Sequence, residues 1–243
     1  LALVLCALPF AAPLCADPPR QTQRGPYDTE SATLELRDGD RGKDLPIRVT
    51  WPDADKGPWP LIVYSHGAFG SRDNYKPLVE HWVSRGYVVV QPTHSDSLSL
   101  MDRDERIEAL RGFKRNKNGV FRDWRNRPKD VSFVIDSLDE IAKRLPALKG
   151  KIDIERIGLG GHSYGAHTSQ IVGGVRPVLP GGGLVDLRDK RARCVLLISP
   201  QGREALLKED SWKTLAVPMM TVTGSRDKGR NGDGAMWRTE PFR

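Results

Sequence analysis

The sequence predicts an α/β fold: a mostly parallel sheet with antiparallel strands at its N-terminal edge and helices on both faces. Two patterns predict it. Residues 32–37 alternate Leu34 and Leu36 with polar side chains, Asp38-Gly39-Asp40 is a turn signal, and 45–51 repeats the strand pattern, which together read as an antiparallel edge pair. From residue 61 onward, short wholly apolar runs alternate with helical periodicities, as strands buried on both faces do when helices cover them.

Taken in order, 61–64 is the first buried strand. Leu78, Val79, Trp82 and Val83 then stand at helical spacing over 75–85, and Gly86 ends that helix. Residues 87–90 form a second buried strand. Residues 95–128 are charged and weakly periodic, a lid-like excursion or a helix with a long loop. Val131, Val134, Ile135, Leu138 and Ile141 make one stripe along a helix at 130–145, closed by Pro146. A strand at 157–160 leads straight into a helix opening at Ser163. Residues 194–199 and 218–223 are two further buried strands, with a short helix within 204–215 between them. No internal repeat and no second domain is visible, and 243 residues suit one large domain spanning 31–243.

Residues 1–16 carry no charge and end in a small residue before Asp17, the pattern of a secretory signal core without its basic leader. A docked N-terminal strand or helix is the alternative, and Cys6 and Cys15 are poor matches for a lipid-anchor signal. An exported chain, secreted or periplasmic, with an extended lead-in at 17–30 is the expectation. Past these residues nothing approaches the roughly 18 apolar residues of a membrane span. Cys194 alone remains in the mature part and reads as a buried small hydrophobe. No Cys/His spacing suits zinc, so neither metal nor cofactor is expected. The formal net charge of +7 is concentrated at 111–129, where Arg111, Lys114, Arg115, Lys117, Arg122, Arg125, Arg127 and Lys129 face only Asp123. The run reads as a solvated loop or lid face, with attraction of an anionic substrate or surface as the alternative. No nucleic-acid-binding module accompanies it.

Three segments carry chemistry. Gly161-His162-Ser163-Tyr164-Gly165 fits G-x-S-x-G between a strand and a helix. A tight turn there strains the serine and lifts its hydroxyl above the sheet, which makes Ser163 the candidate nucleophile. His66-Gly67-Ala68-Phe69-Gly70 follows the first parallel strand. Ala68 and Tyr164 are the candidate oxyanion-hole donors through their backbone N–H groups, and Phe69 is a candidate substrate contact. Thr223-Gly224-Ser225-Arg226-Asp227 follows the last strand and offers Asp227 as the triad acid, with Asp233 its nearest competitor. The spacing after Asp227 faintly suggests a calcium loop, but Gly229 stands where an oxygen ligand belongs and Arg238 where a closing Glu does, so calcium is rejected. The histidines are His66, His81, His94, His162 and His167, and none follows Asp227. His162 is expected to turn away from the catalytic face, and His162 and His167 to pack or hydrogen-bond.

Tyr64-Ser65-His66-Gly67, Gly-His-Ser-Tyr-Gly at 161–165 and Thr-Gly-Ser-Arg-Asp at 223–227 resemble the α/β-hydrolase superfamily. Arg127-Pro128 with Asp130-Val131 resembles its bacterial dienelactone-hydrolase-like branch, related to platelet-activating-factor acetylhydrolases. The resemblance implies the α/β-hydrolase fold, Ser163 and Asp227 as triad members, Ala68 and Tyr164 as oxyanion donors, and a general-base His on a later loop. In that order of residues the His, with a final helix and strand, is expected beyond Arg243. Two departures separate this chain from the named activities: true dienelactone hydrolases use Cys as nucleophile, and animal platelet-activating-factor acetylhydrolases carry their acid where this chain has Ser199-Pro200-Gln201. The expected function is cleavage of small or medium carboxylic esters through an acyl-enzyme, without cofactor, on a small-molecule substrate. The alternative is a hydrolase-like binding protein that lacks the base. Oligomeric state is not readable from these residues.

Overall fold

The computed structural model describes residues 23–114, 123–204, 206–215, 217–229 and 232–242. The signal and residues 17–22 of the lead-in, and residues 115–122 of the charged excursion, lie outside the described residues.

Seven strands form one sheet in the order β1-β2-β4-β3-β5-β6-β7. They are β1 (Thr29–Asp38), β2 (Lys43–Pro52), β3 (Trp59–Ser65), β4 (Val88–Pro92), β5 (Ile152–His162), β6 (Ala192–Ile198) and β7 (Met219–Val222). β1 and β2 pair antiparallel, with Leu34 opposite Ile47 and Leu36 opposite Leu45, and β2 lies antiparallel on β4. From β4 through β7 all pairings are parallel. Each parallel step requires a crossover, and helices supply most of them: α1 (Lys76–Ser84), α2 (Arg103–Lys114), α3 (Asn126–Asp136), α4 (Leu138–Arg144) and α5 (Tyr164–Val172), with a short α6 (Ala235–Arg238) after β7.

The sheet is buried from both sides. Val63, Val88, Val90, Leu159 and Leu197 pack on one face with Val131, Val134, Ile135, Leu138 and Ile141 from α3 and α4. On the other face Tyr64 and Val89 pack with Val79 and Val83 of α1. The predicted stripe of 130–145 is thus real, but two helices carry it. The chain enters α3 already at Asn126, because Pro128 falls in the first turn, where its missing N–H is not needed. The helix breaks at Ser137, whose Oγ donates to the Phe133 carbonyl at 2.8 Å and takes up a backbone acceptor.

Three other expectations are corrected. Within 204–215 the described residues form only a 3₁₀ turn at Glu209–Trp212. β7 is not buried on both faces: it is the last strand of the sheet, and Met220 and Val222 are 63% and 42% exposed. Cys194 is exposed rather than buried. It sits opposite Gly158 in β5, which has no side chain to lay across it.

Candidate active site

β5 runs into α5 through one residue. His162 ends the strand, Tyr164 begins the helix, and Ser163 between them has φ 52° and ψ −117°. Such a backbone costs about 1–3 kcal/mol in a residue with a Cβ and persists only where its surroundings over-determine it. Here Ser163 N–H donates to the Ile198 carbonyl at 2.9 Å, and the Ser163 carbonyl accepts from His167 N–H at 3.0 Å. The turn also requires its glycines. A Cβ on Gly161 would lie 2.3 Å from the Gly165 carbonyl carbon, and one on Gly165 would lie 1.9 Å from the Ser65 oxygen.

β3 and β5 are neighbours, with Ser65 in register with Gly161, so the loop after β3 lies beside this elbow. The loop doubles back through Gly70 N–H to the Gly67 carbonyl at 3.2 Å, with Phe69 in the left-handed region at φ 66°. Phe69 N–H is committed to Asp96 Oδ2 at 3.2 Å. Ala68 N–H has no partner among the described residues, and it adjoins the elbow whose helix opens with Tyr164, the two donors the sequence singled out.

Asp227 follows β7. Ser199 N–H bonds the Val222 carbonyl at 2.8 Å just as Ser163 N–H bonds Ile198, so the ends of β5, β6 and β7 stand side by side with Ser199 in the middle. The Asp227 carboxylate accepts from Thr223 Oγ1 at 3.0 Å and from the Ser199 side chain, and pairs with Arg238 Nε at 2.9 Å. Partial burial pushes its pKa up, but these donors outweigh it and hold the carboxyl below its usual range. Arg238 also donates to the carbonyls of Ser199 (2.7 Å), Pro200 (3.0 Å) and Lys228 (2.8 Å), tying the two strand ends together. Asp233 uses its backbone carbonyl to close a turn with Gly229 N–H at 2.6 Å. The structure therefore joins Asp227, not Asp233, to the β6 end.

No histidine ring among the described residues is hydrogen-bonded to Ser163. His162 hydrogen-bonds, as expected: Nδ1 meets Tyr75 Oη at 2.8 Å beside Gly67, near enough for the Asp227 charge to act on it. Burial lowers its pKa, against that charge. His167 is buried with its ring stacked on Tyr164, and desolvation pushes its pKa down to about 4.

Beneath the loop lies a buried polar cluster that sequence reasoning missed. His94 N–H donates to His66 Nε2 at 3.0 Å, so the His66 proton sits on Nδ1 and goes to the Gly67 carbonyl at 2.6 Å. His94 Nδ1 meets Asp130 Oδ2 at 2.8 Å, and its Nε2 lies 3.2 Å from Ser65 Oγ. This is an Asp-His-Ser array, but Ser65, His94 and Asp130 are wholly buried and no substrate reaches them. Desolvation keeps both histidines neutral, and the His94 ring, with Lys43, holds Asp130 ionised against its own burial. Arg127 is buried too, which corrects the solvated reading of 111–129 at that residue; Lys129 beside it is exposed. The only signal for this cluster was Arg127-Pro128 with Asp130-Val131, visible as a resemblance and silent on the partners.

A cleft of about 430 Å³ opens next to the loop and elbow, with Phe69, Met101, Ala109 and Tyr164 among its apolar walls and Asp96 and Arg127 at its base. Phe113 of α2 stands edge-on to Phe69 at 5.2 Å. Among the described residues no group of His, Cys, Asp or Glu could hold a metal ion, and no helix is long and apolar enough to cross a membrane.

A strand order of 1-2-4-3-5-6-7 with a strained serine between β5 and the next helix defines the α/β-hydrolase class, and this chain has that fold. Comparisons agree. A solved structure described as a putative dienelactone hydrolase from Klebsiella pneumoniae superposes with a TM-score of 0.58 at 14% identity, over 89% of this chain and 79% of that one. A protein called m3DLH superposes with a TM-score of 0.55 at 14% identity, over 88% and 75% of the respective chains. The family model for chlorophyllase matches residues 20–113, which include the Ala68 loop and all but the last residue of α2 but neither Ser163 nor Asp227. No curated protein matches the sequence.

Proposed function

We propose that the protein is a serine hydrolase that cleaves carboxylic esters of small or medium size. The observation that carries this reading is Ser163 itself, a non-glycine residue held at φ 52° and ψ −117° beside a loop whose Ala68 N–H has no partner among the described residues. Strain of this kind survives where it serves a purpose. The fold shared with a putative dienelactone hydrolase and the partial match to the chlorophyllase family support hydrolysis as that purpose.

In the proposed reaction Ser163 Oγ attacks the ester carbonyl while its proton passes to a general-base imidazole. The oxyanion is met by Ala68 N–H and Tyr164 N–H, the latter at the positive end of α5. The base returns the proton to the departing alcohol, and water then hydrolyses the acyl-enzyme by the same path in reverse. Asp227 orients the base imidazole and stabilises it once protonated. The cleft at Phe69 and Tyr164 takes the apolar part of the substrate. A pocket of about 430 Å³ suits a short or medium chain.

Labelling of the full-length protein with a fluorophosphonate probe tests this reading. Wild type is expected to label and Ser163→Ala to remain dark. A folded wild-type protein that does not label overturns the hydrolase reading. It leaves the reading of a hydrolase-like binding protein.

A further inference from the structure

Ala68 N–H can serve an oxyanion only if its peptide plane faces the right way, and Arg127 is among the groups that hold that plane. In a trans peptide the N–H of one residue and the carbonyl of the residue before it point in opposite directions. The direction of Ala68 N–H is therefore set by whatever holds the Gly67 carbonyl. Three donors hold it: Gly70 N–H at 3.2 Å, His66 Nδ1 at 2.6 Å and Arg127 Nη2 at 3.2 Å. A flip of this plane would turn the carbonyl, an acceptor, toward the developing negative charge.

The same guanidinium reaches the peptides on either side. Arg127 Nη1 donates to the His66 carbonyl at 2.6 Å. Its Nε and Nη2 form a two-pronged pair with Asp96, at 2.7 Å on each oxygen, and Asp96 Oδ2 in turn accepts Phe69 N–H. Its flat face lies 4.2 Å from the centre of the Tyr164 ring, the side chain of the second candidate donor. One side chain thus braces the peptides around Ala68 and packs on the residue opposite. It is 2% exposed, so little of the guanidinium is open to competition from water. The cluster is also fully occupied: a lysine in its place supplies the charge but not a planar fork that can serve Asp96 and two carbonyls at once.

We infer that Arg127, fixed by Asp96, is the positioning residue of the oxyanion hole, holding the Gly67–Ala68 peptide with its N–H toward the reacting carbonyl. The inference rests on the ester-hydrolase reading. Arg127 does not touch the substrate's reacting atoms; it acts through the Gly67 carbonyl and through Asp96.

The test compares full-length wild type, Arg127→Lys and Asp96→Asn on a p-nitrophenyl ester, with active sites counted by fluorophosphonate titration and affinity measured for an arylboronic acid. Loss of a whole oxyanion donor lowers kcat about 100- to 1,000-fold. A misaligned donor should lower kcat per titrated site by about 10- to 100-fold in Arg127→Lys, with KM changed by less than about threefold. Boronate affinity should fall by a factor similar to kcat/KM, since the tetrahedral adduct needs the same N–H. Asp96→Asn keeps an acceptor for Phe69 N–H and should show a smaller loss of the same kind. A purely structural role would instead reduce the number of titratable sites and leave the constants of the survivors at wild-type values, and that result overturns the inference. So does unchanged boronate affinity in both variants. Absence of turnover and labelling in wild type overturns the ester-hydrolase reading first, and the inference with it; wild-type turnover with unaffected variants overturns the inference alone.

Discussion

Ser163 shows how much a single backbone can demand of its neighbours. Its φ of 52° is tolerated because glycines stand on both sides and two backbone bonds pin it. Replacing Ser163 by Ala removes the hydroxyl and keeps the strain, whereas Gly removes both. Relief of about 1–3 kcal/mol of strain, set against about 0.5–1 kcal/mol of added unfolded-state entropy, leaves a net gain. Ser163→Gly is therefore expected to be about 1 kcal/mol more stable than Ser163→Ala in urea unfolding, with both inactive; equal midpoints would show that the serine is not strained. This part of the site was legible in the sequence because it is local: five consecutive residues with glycines at the ends dictate one kind of turn. Arg127 was not legible. It sat in a run of cations that reads as surface, and nothing in the run tells that one of them faces His66, Gly67 and Asp96, which are 61, 60 and 31 residues distant in sequence.

At the scale of elements, the strands and the order of strand and helix could be read, since periodicity of two and of 3.6 is a local signal. Ends and edges could not. The sequence places the helix start at residue 130, whereas α3 begins at Asn126 with Pro128 inside its first turn, and the exposure of Met220 and Val222 depends on β7 being last in the sheet. What docks α3 was equally hidden. Asp130 near its start accepts from Arg41 at 2.6 Å, Lys43 at 2.9 Å and His94 at 2.8 Å, so one carboxylate joins α3 to the β1–β2 turn and to the end of β4. Removing one member of a buried ion pair strands the others, at about 3–5 kcal/mol. Asp130→Ala should lose that much in urea unfolding, and Asp130→Asn, which keeps an acceptor for His94, distinctly less. A loss under about 1 kcal/mol for the alanine variant would mean that apolar packing alone docks the helix.

Over the whole molecule these buried groups add up to one dependence on pH. Desolvation depresses the pKa of His66, His94 and His167 in the folded protein, the last to about 4. In the unfolded chain each titrates near its ordinary value, about 6.5. Below that pH the unfolded state binds protons that the folded state refuses, so stability is fully present above it and is lost as the pH falls toward the folded values. The carboxylates act in the same direction but later. Burial would raise Asp96, yet Arg127 outweighs it and brings the pKa down to about 2, and Asp130 is lowered as well by His94 and Lys43. Their contributions persist above about pH 4 and disappear as the pH falls through the folded values. Two successive losses are therefore expected: one from about pH 6.5 downward carried by the histidines, and a further one below about pH 4 carried by Asp96 and Asp130. Urea midpoints measured from pH 8 to pH 3 check this. The midpoint should hold steady above pH 7, decline already between pH 6.5 and 5 where no ordinary carboxylate titrates, and His94→Gln should flatten part of that first decline. A midpoint unchanged down to pH 5 would mean that water or a partner charge reaches these rings, and that the cluster beneath the Ala68 loop is not the dry, neutral-histidine framework its hydrogen bonds describe.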